Sequence, residues 1–310
     1  YMGFWRKFNL QNNFPEIAGR KIVCHFEFGD DPSPLVVKVA LSAVSTQGAV
    51  KNLEMEARHR SFEQIAREAE RKWEKELNVI EIVGDEVDKA MLYTSLYHTM
   101  INPSVYMDTD SLYRGIDHNI HRADGFTNYT VFSVWDTYRA LHPLFNIINR
   151  ERNKDMVHSM LAHYNQSVHK ALPVWSHMGN ENWCMIGYHS VSVLADAIDK
   201  GLDMDKEKAL EAMVNSSNVG YYDGIAEYKE LGYVPFDVKG SGSSITLEYA
   251  YDDWTIYNTA PKVNNSQVAE VYKKRALNYR NGFDQGLQVV RAKIGDGRWK
   301  RPVALSDTGH

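Results

Sequence analysis

Cysteine is almost absent from this sequence. Among 310 residues there are only Cys24 and Cys184. They could pair, but two cysteines so far apart make no disulfide framework. Long apolar runs are missing too. No stretch of 18 consecutive apolar residues occurs, so the sequence offers no membrane-spanning helix. Basic tracts never exceed a few residues, and the formal net charge is −5. Nucleic acid and an anionic membrane surface are thereby poor candidates for the main partner. No fixed-period repeat is present, which excludes a solenoid. An initiator Met and a signal peptide are also lacking at "YMGFWRKFNL", and "RPVALSDTGH" brings no closing helix or strand. The chain therefore reads as a segment of a longer protein.

What is there has the composition of a soluble globular chain: 44% hydrophobic and 24% charged residues. Its length suits one large domain or two ordinary ones with a sizeable core. Aromatic residues are plentiful, with 18 Tyr, 11 Phe and 7 Trp. They can fill a core. They also suit a sugar-binding surface, because a flat ring packs against the C–H face of a pyranose.

Two textures follow one another. Residues 20–46 alternate or run β-branched around the turn "GDDPSP" and read as strand, turn, strand. From about Leu53 the chain turns charged and helical, free of Gly and Pro, with pairs such as Glu68–Lys72 at i,i+4. After Glu81 the periodicity predicts helix after helix, broken by short Gly, Asn or Pro turns and by one polar stretch, 102–128, that suits a hairpin. Successive antiparallel helices of this length predict an α/α toroid or a bundle. A toroid of that kind gathers its site at the loops and helix N-termini of one end.

Three stretches break the apolar pattern. In "TVFSVWDTYRALHPLFN" a helix starting near Ser133 crowds Trp135, Asp136 and Arg139 into its first turn. An acid paired with an arginine at a helix N-terminus is a common structural device. An aromatic plate, a carboxylate and a guanidinium are also the parts of a carbohydrate clamp. The second stretch, 172–197, holds Trp175, His177, Glu181, Asn182, Trp183 and His189 in or beside a glycine-bearing loop. It is either a tryptophan-pinned loop or a functional one. As a metal site it is weak, since Cys184 and His189 have no partner pair at a recognised spacing. The third, 230–260, follows "GSGSS" with Glu248, Tyr251, Asp252 and Trp254 along one helix. Glu248 and Asp252 share a face at i,i+4, so their repulsion calls for an offsetting arginine, cation or ligand.

Taken together, "FSVWDTYRALHP", "GNENWCMIGYHSVSVLADAIDKG" and "GYVPFD…SITLEYAYDDWTI" resemble, in order and spacing, the motifs of the glycoside hydrolase family 92 α-mannosidases. The stretch "LYHTMINPSVYMD…YRGID" resembles the family segment that precedes them. The resemblance implies a mainly α fold, part of an (α/α)6 barrel preceded by the tail of an N-terminal β-sandwich and a linker helix. Residues 1–56 correspond to the sandwich tail, 57–80 to the linker helix and 81–310 to an incomplete barrel. It further implies a calcium-dependent exo-α-mannosidase acting with inversion, α-1,2 linkages foremost, on mannose-containing glycans such as N-glycans. The setting it implies is bacterial: periplasmic, cell-surface or secreted. Trp135, Asp136 and Arg139 match positions that face the bound mannose. Glu181 and Asn182 match the segment lining the same pocket, and Asp252 joins them as a substrate-binding candidate.

The family's general acid on a Glu-Gly-Asn motif, and its general bases on a Gly-Asn-Asp motif, are expected beyond His310, together with most calcium ligands. Neither motif occurs here. Inversion needs an acid and a base about 6.5–9.5 Å apart. The expectation is thus an enzyme as parent and an isolated chain without turnover. Three other readings stand beside it: a non-catalytic mannose-binding helical module, another (α/α)6 glycosidase or lyase using Glu181 or Asp252 directly, and a purely structural helical scaffold.

Overall fold

A computed structural model describes residues 33–301, together with Gly19, Val23 and Gly29. The chain divides after Val37 into two compact units. Of the first unit, only those three glycine and valine positions and residues 33–37 are described, so the expected first strand, 20–28, lies almost wholly outside the described residues. Residues 34–42 form no strand.

The second unit begins with α1 (Thr46–Glu56), α2 (Phe62–Leu77) and α3 (Glu86–Thr99). The helical texture after Leu53 thus comprises two helices, not one. Ser61 divides them: its hydroxyl accepts from Gln64 N while the Gln64 side chain accepts from Ser61 N, a reciprocal capping box. Glu68 reaches back across this break to Arg60 at 2.7 Å rather than along the helix to Lys72.

The polar stretch then holds paired strands. β1 (Ser104–Val105) pairs with β4 (Tyr129–Thr130), enclosing the hairpin β2 (Leu112–Arg114) with β3 (Ile120–Arg122). β5 (Phe132–Ser133) leads into α4 (Val134–Thr137), α5 (Leu141–Ile148) and α6 (Arg150–Gln166). The helix expected to run through "VWDTYRALHPLFNII" is therefore broken. Pro143 causes the break: in a continuous helix its ring would strike the carbonyl of Arg139 and it has no N–H to give. The chain leaves helical geometry at Ala140, φ −146°. β6 (Trp175–His177) and β7 (Asn180–Glu181) join β5 in a three-stranded antiparallel sheet.

Helices dominate the remainder: α7 (Ser190–Asp199), α8 (Lys206–Ser216), α9 (Ile225–Leu231), α10 (Gly242–Thr259) and α11 (Ser266–Arg275), with a last hairpin of β8 (Phe283–Asp284) and β9 (Val289–Val290). The core lies among α5 to α8, α10 and α11, where Phe145, Met156, Met160, Leu194, Met213, Ile245, Tyr249 and Ile256 are buried. α10 is its centre. Apolar and acidic residues alike are buried around it, including Ile245, Tyr249, Asp252, Asp253 and Ile256, so it is enclosed on several sides instead of presenting one wet face. Gly242 lets it start so close to the 234–235 backbone: a Cβ there would lie 2.3 Å from the carbonyl oxygen of Val234. Among the described residues, no helix is long and apolar enough to cross a membrane.

Candidate active site

The helix starts and loops converge where α4, α7 and α10 meet. Asp252, on α10, is fully buried. Its two oxygens accept from Tyr188 N at 2.8 Å and from His189 Nδ1 at 2.8 Å. The carboxylate thus fixes the imidazole of His189 at the head of α7. The other ring nitrogen, Nε2, stands 3.2 Å from Glu248 Oε2, but off the line that a hydrogen bond requires, and it has no hydrogen-bond partner. His189 lies between the two acids of α10 and supplies the counter-group that their i,i+4 spacing requires.

Glu248 receives further donors from the short α4 segment. Arg139 Nη2 lies 3.3 Å from its Oε1, and the Tyr138 hydroxyl donates to its Oε2 at 3.3 Å. Tyr138 stacks on the His189 ring, centroids 4.1 Å apart at 18°. Burial, then the Glu248 charge, push the Tyr138 hydroxyl well above the usual phenol range, so it stays a donor. The Arg139 guanidinium covers Trp135 at 4.5 Å and Tyr138 at 4.9 Å, and its Nε donates to the Trp135 carbonyl at 3.2 Å. The break at Pro143 makes this possible: it ends α4 before Arg139, so the side chain can fold back over both rings. Burial pushes the Asp252 carboxyl up, while the His189 charge and the Tyr188 N–H pull it down.

Gly187, at φ +86°, brings the preceding loop against the ring; a Cβ there would meet His189 Nε2 at 2.3 Å. No other residue fits that approach.

The six residues singled out from the sequence take different places. Trp135 and Arg139 are in contact, with the indole Nε1 buried and without a partner. Asp136, beside them on α4, is exposed and has no hydrogen-bond partner among the described residues. Asp252 supports the site from below through His189. Glu181 is elsewhere engaged: its oxygens accept from the backbone N–H groups of Val174, Trp175 and Trp183 at 2.8–3.0 Å. Burial pushes its carboxyl up and those N–H groups hold it down. Asn182 is exposed, and its Oδ1 accepts from Cys184 N at 3.1 Å. Glu181 and Asn182 thus brace their own loop. Cys184 carries a free, exposed thiol, and Cys24 lies outside the described residues.

Sequence reasoning left out Tyr138 and assigned no role to His189 or Glu248. The signal for the last two was present in the unpaired repulsion of Glu248 and Asp252. Nothing in the sequence said which side chain would stand between them.

For calcium the donor set is unsuitable. The ion takes six to eight oxygen ligands, whereas Glu248 and Asp252 already face an arginine and a histidine. Among the described residues no group of three or more His, Cys, Asp or Glu could hold a metal ion.

An aromatic plate, a guanidinium, a clasped carboxylate and a free one thus lie together at this end of the fold. Residues 48–309 match the sequence model of the glycosyl hydrolase family 92 catalytic domain. The fold is similar to that of the family GH92 α-mannosidase BT3965 from Bacteroides thetaiotaomicron, described in complex with mannoimidazole. Identity is 46% and the TM-score 0.82, over 85% of this chain and 35% of that one. The inverting family GH92 mannosidase BT2199 from Bacteroides thetaiotaomicron VPI-5482 is similar at 31% identity and a TM-score of 0.78, over 85% and 37% of the two chains. The family glycosyl hydrolase ccman5, at 22% identity and a TM-score of 0.66 over 84% and 36%, shares the fold. No curated protein matches the chain. The chain belongs to glycoside hydrolase family 92, and its helices are part of that family's (α/α) barrel-type catalytic domain. It spans about a third of the length of these structural relatives.

Proposed function

We propose that the parent protein is an exo-α-mannosidase, and that this chain supplies the part of its centre that holds the terminal mannose. The observation that carries the reading is the clasp on Glu248. Arg139 and Tyr138 hold its carboxylate in one place, with the His189 ring 3.2 Å away, the Trp135 indole under the Arg139 guanidinium and Asp136 unpartnered among the described residues on the same short helix. A carboxylate fixed in this way accepts from vicinal hydroxyls without reorganising, while the guanidinium edge donates to them. Trp135 offers the sugar a flat apolar plate.

The chain's own residues bind and orient; they do not complete hydrolysis. Inversion requires a protonating acid and a water-activating base on opposite faces of the sugar. Glu181 is taken up by three backbone N–H groups and Asp252 by His189 and Tyr188. Neither is free to serve, which removes the route through that pair. Calcium, implied by the family resemblance, finds no ligand set among the described residues, and no step is drawn through it. We further infer that the parent removes α-1,2-linked mannose with inversion, from N-glycans and related glycans outside the cytoplasm of a bacterium.

The test is calorimetry of the purified chain with methyl α-mannoside, alongside an assay for mannose release. The expected result is binding that Asp136→Ala weakens about tenfold, the scale of one charge-assisted hydrogen bond, with no turnover. Binding of glucoside and mannoside with equal affinity would falsify the mannoside reading. Chelator-sensitive mannose release by this chain would overturn its assignment as a binding part only.

A further inference from the structure

A cavity of about 560 Å³ opens between α2, the turn that follows α3, the β1–β4 pair and α6. None of its lining residues belongs to the Glu248 clasp. Its volume falls in the range of small-molecule sites, roughly 300–1,000 Å³. Part of the wall is apolar. Trp73, Met100, Ile101, Pro103, Val105 and Tyr129 supply it, and Ile101 and Val105 are exposed.

The rest of the wall is cationic. Lys72, Lys75 and Arg152 line it, with Glu76 as the one acid. Glu76 is already engaged: it accepts from Arg152 Nη2 at 2.7 Å and from Asn149 Nδ2 at 3.3 Å. Glu68, one turn before Lys72, pairs with Arg60. The ammonium groups of Lys72 and Lys75 are left without an ion pair among the described residues. They are i,i+3 neighbours on one helix, so two like charges stand side by side and call for an anion. Neutral partners are few. The Ser104 hydroxyl is taken up by the Ile101 carbonyl at 3.2 Å and Asn102 Oδ1 at 2.8 Å. The helix that carries the lysines is lightly held: none of its residues is buried, Trp73 packs on Tyr97 with centroids 4.5 Å apart, and Glu76 makes the two bonds just given.

We propose that this cavity binds a small amphipathic carboxylate, an apolar ring or chain that ends in one anionic group. The apolar part lies against Trp73, Val105 and Tyr129, and its removal from water supplies the affinity. The two lysines supply the selection, because a carboxylate accepts charge-assisted hydrogen bonds from ammonium groups. A ligand there touches α2 on one side and β1, β4 and α6 on the other, and so ties the helix to the body. A divalent metal ion is the wrong occupant, because it needs several oxygen ligands and meets three cations and one engaged acid. A sugar would find too few hydrogen-bonding partners. The proposal does not depend on the mannoside reading.

The test titrates the whole 310-residue chain with phenylbutyrate, phenylbutanol and inorganic phosphate, read by NMR at the Trp73 indole N–H. The carboxylate should bind saturably and move that signal. The alcohol, which has the same apolar part, should bind about tenfold more weakly, the scale of one charge-assisted hydrogen bond, and phosphate more weakly still. Lys72→Gln combined with Lys75→Gln, two exposed changes, should erase the difference between carboxylate and alcohol and leave the melting temperature of the free chain unchanged. On saturation with phenylbutyrate the α2 amides should exchange more slowly with deuterium. If the Trp73 signal stays still, if the alcohol or phosphate binds as tightly as the carboxylate, or if the difference survives the double change, the proposal is overturned. Displacement of phenylbutyrate by methyl α-mannoside would overturn it too, since the carboxylate would then occupy the Glu248 pocket.

Discussion

Asp252 and Asp253 are neighbours on one helix and are equally buried, yet they face opposite tasks. Asp253 is locked. It accepts from the Tyr188 hydroxyl at 2.8 Å, the Tyr228 hydroxyl at 2.9 Å and Arg275 Nε at 3.0 Å, which ties the loop before α7, α9 and α11 to α10. Burial pushes its carboxyl up to about 6, against the pull of Arg275. Asp252 instead supports a half-open arrangement, in which His189 Nε2 lacks a partner and Glu248 remains 19% exposed. One carboxylate spends all its hydrogen-bonding capacity within the protein. The other passes its influence outward through an imidazole to a group that can meet a ligand. The difference teaches that burial alone does not mark a functional acid. What marks it is a chain of partners that ends unsatisfied at a surface.

The largest test breaks the lock. Arg275→Ala leaves a buried carboxylate and two tyrosine hydroxyls without their cation, and should destabilise the chain by about 3–5 kcal/mol in urea unfolding. A loss below about 1 kcal/mol would mean that the pair is no lock. The open side should respond differently. Glu248→Gln keeps the shape but removes the charge from the clasp, and should weaken methyl α-mannoside about tenfold while the melting temperature hardly moves. If instead the fold weakens and the affinity holds, Glu248 belongs with Asp253.

A pH experiment reads the buried histidines His142 and His163. Burial depresses His142 and His163 to about 4. Each is held neutral in the fold and takes up its proton more readily when unfolded. The stability they contribute is complete above their unfolded value of about 6.5 and is lost as pH falls toward about 4. Asp253, raised by burial, gives the opposite slope at the acid end, so a single-site change is the cleaner probe. Denaturation at pH 5 and pH 7.5 should show a smaller acid loss in His163→Gln than in the native chain; equal losses would count against this account. The smallest effect belongs to the exposed pair between Glu54 on α1 and Arg58 in the turn after it. Arg58→Ala should change stability by less than about 0.5 kcal/mol, which separates a solvated ion pair from the buried one at Arg275.

Much of the helical order was legible in advance. The runs over α3, α6, α7, α8 and α10 were legible as long Gly- and Pro-poor segments between turn residues, and the polar stretch before Asn128 does hold a hairpin. Two boundaries were missed although their signals were local: the Ser61–Gln64 cap that divides α1 from α2, and Pro143, which separates α4 from α5. The short α9 passed unnoticed because seven residues between glycines carry too little periodicity. In the site, the clustering of Trp135, Asp136 and Arg139 was visible because those residues are consecutive or a turn apart. The engagement of Glu181 was not, because its partners are backbone N–H groups whose direction depends on a turn of positive φ at Met178, Gly179 and Trp183.

By itself, the sequence determined the class of fold, the family and the charge conflict on α10, since these rest on composition, motif order and helical spacing. Tertiary structure alone decided how that conflict is resolved. Residues 110 positions apart, Tyr138 and Glu248, meet only when α4 and α10 are brought together, and His189 stands between two acids only because Gly187 allows the backbone to approach. Hydrogen bonds act over about 3 Å. Which donors come within that reach is set by packing, and local pattern carries no record of it.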